Sequence, residues 1–244
     1  GDVTITGDKF EIQKLNTKQR HEHRPQIYNH DFKVLLIENV VDMVIDFNKK
    51  FNKTIGVYIE PKNNILFHQE LNKDINVELL KMLKKYKLTN FYDKEFKKCP
   101  IVIQSFHKET LQFFRQQADL PHIYLIGWGN LINIKESTNY SDGLGPNISY
   151  ILYERVDDLL VANGTLYNST EQFQENVIQK SFNDSVEVMG KIIKPKKSNF
   201  FVDYAHSLNL IVAPYDINND TPKFDYNPEY EYCKMKRLRV DSFF

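Results

Sequence analysis

Sulfur is scarce in this chain, and neither sign of charge is in surplus. Cys99 and Cys233 are the only cysteines. Two are too few to hold a metal cluster, and by themselves they do not establish a disulfide. Lys and Arg number 32, as do Asp and Glu, so no basic field recommends nucleic acid or an anionic membrane as a partner. No apolar run reaches the length of a membrane-spanning helix,. No glycine-rich phosphate loop follows any strand-like segment, which disfavours a dinucleotide-binding fold. The opening residues are polar and do not read as a signal peptide.

What is present is ordinary for a soluble domain: 244 residues, 41% hydrophobic and 26% charged, enough to bury one full core. Asn-x-Ser/Thr occurs seven times, at Asn52, Asn139, Asn147, Asn163, Asn168, Asn183 and Asn219. Such a triplet matters only in the secretory route, so an extracellular or lumenal location is expected.

Apolar spacing predicts a helix from Ile37 to Phe51, carried by Val40, Val41, Val44, Ile45 and Phe51. A strand over Ile55–Glu60 follows, then a helix with Ile75, Leu79, Met82, Leu83 and Tyr86 on one face. "CPIVIQSF" reads as a strand, "KETLQFFRQQA" as a helix and "HIYLIGW" as a strand. "SDGLGPN" holds one abbreviated strand. "FFVDYAHS" is a helix, "LNLIVAPY" a strand, "PEYEYCKMKRL" a helix, and "VDSFF" begins one more strand. Residues 151–200 are expected to form an insertion or long loop within a single domain spanning 1–244. Continuously apolar strands alternating with helices argue for a parallel sheet covered by helices. The expected fold is α/β, a TIM-type barrel in which about six of eight strands are readable, around Val57, Val102, Tyr124, Leu144, Ile211 and Ser242. Such a barrel keeps its chemistry at the C-terminal strand ends.

At those ends stand Glu60 and Lys62, Gln104 and Phe106, Trp128, Gly145, and Tyr215 with Asn218. Alternation puts Tyr58, Glu60 and Lys62 on one face of their strand. A carboxylate there suits a hard cation and a lysine suits a phosphate. A purely structural Glu–Lys pair satisfies the same pattern.

The order of segments adds a resemblance. "RPQIYNHDFKVLLIENVVDMV", "GVYIEPK", "IVIQSFHKETLQFFRQQ", "SDGLGPN" and "LNLIVAPYDIN" together resemble the glycerophosphodiester phosphodiesterase family, from about Phe10 to Phe244. That likeness implies metal-dependent cleavage of a glycerophosphodiester to an alcohol and glycerol 3-phosphate. It also implies Glu60 as a ligand of one Ca²⁺ or Mg²⁺, Lys62 near the phosphate, Gln104 and Phe106 lining the pocket, and Tyr215 packing on the glycerol. Pro61 and Asp216 depart from the family pattern. The family's H-R-G, E-x-D and T-D-F-P motifs are absent here. The chain is therefore expected to be a piece of the domain, without its acid–base histidines and without turnover of its own. His23-Arg24 and His30-Asp31 are read as loop residues that only look like the missing motifs. His21 with His23 is an adventitious metal pair at most, and His68 is either a loop or a pocket residue. A non-catalytic phosphate-binding relic and a phospholipase D-like toxin barrel are the rival readings.

Overall fold

A computed structural model describes residues 14–19, 22–62, 72–127, 133–148, 151, 160–162, 165–167, 200–215 and 228–242. The chain divides into two compact units, Gly1–Val57 with Lys97–Pro100, and Tyr58–Phe96 with Ile101–Phe244.

The first unit is built on α1 (Ile37–Phe51), with the bounds its periodicity predicts. The Asn39 side chain accepts the Leu36 N–H at its start. Asn52 ends it in the left-handed region at φ 50°, where Asn is tolerated better than most residues. Val41 is buried, but Phe51 is half exposed. Asn48 is buried because its amide has backbone partners on every side: it donates to the Ile55 and Lys98 carbonyls at 2.8 Å and accepts the Ile55 N–H at 2.9 Å. Gly56 is needed for a close approach. A Cβ there would lie 2.6 Å from the Pro100 carbonyl oxygen, the same oxygen that accepts the Val57 N–H at 2.7 Å.

The second unit holds the sheet. β1 (Val57–Ile59, its first residue counted with the first unit), β2 (Ile101–Ser105), β3 (His122–Ile126) and β4 (Gly143–Pro146) are joined in order by β7 (Ile211–Val212). The β2–β3, β3–β4 and β4–β7 pairings are all parallel. α2 (Ile75–Tyr86), α3 (Lys108–Gln117), the short α4 (Ile134–Ser137) and α5 (Phe200–Ser207) lie between strands, and α6 (Pro228–Arg237) follows β7. Each strand is the spatial neighbour of the next in this sheet. Crossovers of one hand therefore never reverse direction, and the helices collect on one face. Ile126, Leu144 and Val212 point to that face and pack with Phe201, Val202 and Ala205 of α5 and Met235 of α6. Ile123, Leu125, Gly143, Gly145 and Ala213 point to the other. There a Cβ on Gly143 would meet Ile211 Cγ1 at 2.2 Å and one on Gly145 would meet Leu125 Cδ2 at 2.6 Å, so large neighbours fill the space the glycines leave.

Two expectations need correction. The segment near Ser242 is not a strand among the described residues. It lies beside β7: the Asp241 carboxylate accepts the Val212 N–H at 2.7 Å, and the Val212 carbonyl accepts the Asp241 N–H at 2.9 Å. A side chain supplies half of that pairing, so no ladder propagates. Within 151–200, β5 (Leu160–Ala162) and β6 (Thr165–Tyr167) form an antiparallel hairpin where only a loop was expected. The rest of that span, apart from Ile151 and Phe200, is outside the described residues. Cys99 and Cys233 are both free thiols.

Candidate functional site

Three of the five expected site residues lie on the sheet face opposite the described helices. Gln104 is in register with Ile123, and partners in a parallel ladder share a face, so Gln104 and, two residues on, Phe106 lie on the Ile123 side. Tyr215 follows β7 with the parity of Ile211 and Ala213 and is bridged to Asn147. The Phe106 and Tyr215 rings stand edge to face, centroids 5.7 Å apart. β2 and β7 are three strand spacings apart, about 14 Å in a flat sheet. The ring contact therefore requires the sheet to curl over this face at its C-terminal ends. The Tyr215 hydroxyl spans the same curve and donates to the Ile126 carbonyl at the end of β3, at 2.9 Å. Gln104 is buried, and its Oε1 has no hydrogen-bond partner among the described residues, an orphaned acceptor that costs about 1–3 kcal/mol if left unmatched.

Glu60 and Lys62 end the neighbouring strand β1 and pair with each other at 3.4 Å, the lysine side chain 68% exposed and the glutamate 18%. Their parity is that of Tyr58, which is exposed, while Ile59 is in the core. Partial burial raises the Tyr58 phenol above its usual range. An exposed pair of this kind contributes little stability, because water screens it and ordering both chains costs entropy. The lysine charge thus stays open to an anion. Among the described residues no three His, Cys, Asp or Glu side chains stand together as a metal site. Ca²⁺ takes six to eight oxygens, so among the described residues Glu60 by itself does not make up a Ca²⁺ site.

His68, Trp128, Asp216 and Asn218 fall outside the described residues. His23 and His30 lie in the irregular segment before α1, as read from the sequence. Sequence reasoning missed one participant: the Ile126 carbonyl anchors Tyr215, and a backbone acceptor leaves no signal in side-chain identity.

A cavity of about 630 Å³ lies at the opposite, N-terminal end of the strands, lined in part by Asn90, Arg115, Asp119, His122 and Asp142. Asp142 accepts from Arg115 at 3.0 Å and from the His122 N–H at 2.8 Å. The ion pair there binds α3 to the starts of β3 and β4.

The fold and this face define a class: a parallel α/β protein that gathers polar and aromatic side chains at the carboxyl ends of its strands. Comparison with known proteins narrows it. No family model matches the chain. It is 25% identical over 255 aligned residues to the glycerophosphodiester phosphodiesterase GDPD6 of Arabidopsis thaliana, covering 100% of this chain and 62% of that protein. It is 26% identical over 168 residues to the glycerophosphodiester phosphodiesterase of Haemophilus influenzae, covering 57% of this chain and 44% of that protein. Both of these relatives are named glycerophosphodiester phosphodiesterases, and the chain spans less than two thirds of the length of each.

Proposed function

We propose that these residues form the phosphate- and glycerol-contacting wall of a glycerophosphodiester phosphodiesterase, a hydrolase that releases an alcohol and glycerol 3-phosphate. One observation carries the reading: an alignment that runs the full length of the chain coincides with Gln104, Phe106 and Tyr215 sharing one face at the strand ends, the two rings in contact. The unreversed strand order and the curl of the sheet support a TIM-type barrel wall. Lys62 would sit against the diester phosphate and offset negative charge as the P–O bond breaks. Glu60 orients the lysine through their contact. The crossed Phe106 and Tyr215 rings present an apolar surface to the glycerol carbons, and Gln104 offers an amide to a hydroxyl. Ring and amide bind, the lysine stabilises charge, and none of these side chains is assigned the proton transfers. The names of the relatives favour an enzyme over a non-catalytic relic.

Titration calorimetry with sn-glycero-3-phosphocholine tests this. Binding should weaken at least about tenfold, or 1.4 kcal/mol, in Lys62→Ala, and similarly in Phe106→Ala. In the protein as its cells make it, Lys62→Ala should also lower release of glycerol 3-phosphate. Unchanged affinity in both variants, or equal affinity for glycerol alone, would remove the proposal.

A further inference from the structure

Asn-x-Ser/Thr is far commoner here than composition requires. With 23 Asn and 20 Ser or Thr among 244 residues, random order gives about two such triplets, against the seven present. Three fall on described residues, and the structure separates them. Asn52 caps α1 with φ 50°. It is exposed, as are Lys53 and Thr54, and its side chain makes no hydrogen bond among the described residues. Asn139 is exposed in the turn after α4, its N–H bonded to the Glu136 carbonyl at 3.1 Å and its side chain outside any hydrogen bond among the described residues. Its triplet hydroxyl, Ser141 Oγ, is buried and donates to the Ser137 carbonyl. That hydroxyl is needed only while the chain is extended before folding. Asn147 differs: it is 9% exposed and its backbone bridges to Tyr215, beside the aromatic pair. A bulky glycan needs a surface position, and the buried Asn147 does not offer one.

We propose that Asn52 and Asn139 carry N-linked glycans and that Asn147 does not, so the chain matures in a compartment where such glycans are attached. This stands apart from the proposed function, because neither acceptor lies in the candidate site. The test uses protein purified from its own cells, with enzymatic deglycosylation in heavy-oxygen water followed by peptide mass spectrometry. Heavy-oxygen aspartate should be found at Asn52 and Asn139 and not at Asn147. Expressed in the same cells, Thr54→Ala should raise gel mobility by one glycan step, while Thr54→Ser should not. The Ala variant keeps the Asn52 cap, so a folding defect does not confuse the reading. An unmodified Asn52 or Asn139 in the native protein, or a glycan on Asn147, would overturn the proposal.

Discussion

Asp142 is held by partners of two kinds, and its titration reports both. Burial raises its pKa, but the His122 ring 3.5 Å away, hydrogen bonds from the His122 backbone N–H and from Arg115, and the Arg115 charge outweigh burial and leave it below the usual carboxylate value. The folded-state pKa is the lower of the two, so the stabilisation is complete above the unfolded-state pKa. It is lost as pH falls through the folded one. Thermal unfolding measured from pH 6 down to pH 2 should show the melting temperature fall less steeply in Asp142→Asn than in the unaltered chain. Equal slopes would show that the Arg115 contact is not maintained in solution. The two cysteines give a second residue-level expectation. Burial pushes the Cys99 thiol up to about 11, leaving almost no thiolate at neutral pH, whereas Cys233 is exposed. Iodoacetamide should therefore label Cys233 alone in the native protein and both residues in urea. Native labelling of Cys99 at the same rate as Cys233 would contradict its burial.

Helices were legible wherever one face is apolar and the ends carry stop signals. α2 shows why. Leu79, Met82 and Leu83 are buried on one face, and Asp74 accepts the Asn76 and Val77 N–H groups at 2.8 and 3.3 Å. Asp74→Ala should cost about 1 kcal/mol, read from urea unfolding with an unchanged slope. A change below ~0.3 kcal/mol would show the cap to be redundant with packing. Strand positions were legible from β-branched runs, but their lengths were not: the segment expected over Ile55–Glu60 pairs only over Val57–Ile59. α4, four residues long, is too short for periodicity to reveal. The β5–β6 hairpin was missed although Asn163-Gly164 separates its strands, because the polar composition around it masked the strongest short hairpin signal. Of the candidate site, the side chains were legible and the Ile126 carbonyl was not. Which residues meet across a curled sheet depends on register, and local pattern does not encode register.

In the second unit the central strands are enclosed on both sides. β3 is hydrogen bonded to β2 and β4, and four of its five residues are buried. Hydrogen exchange should therefore be slowest in the amides of β3 and β4, and fastest in the exposed segment around Ile27–Phe32. Comparable rates in the two places would mean that the sheet opens locally rather than cooperatively. β7, last in the sheet, would ordinarily present an outward row of unpaired backbone groups. Its Ile211 and Ala213 N–H groups face β4, and the Val212 N–H and carbonyl face away, where Asp241 takes both. The carboxylate accepts the donor that a foreign strand would need, and it brings a negative charge to the place where that strand would have to lie. The consequence concerns colloidal behaviour: among the described residues, Asp241, with the Ser242 N–H on the same carbonyl, occupies the margin where strand-to-strand stacking would begin.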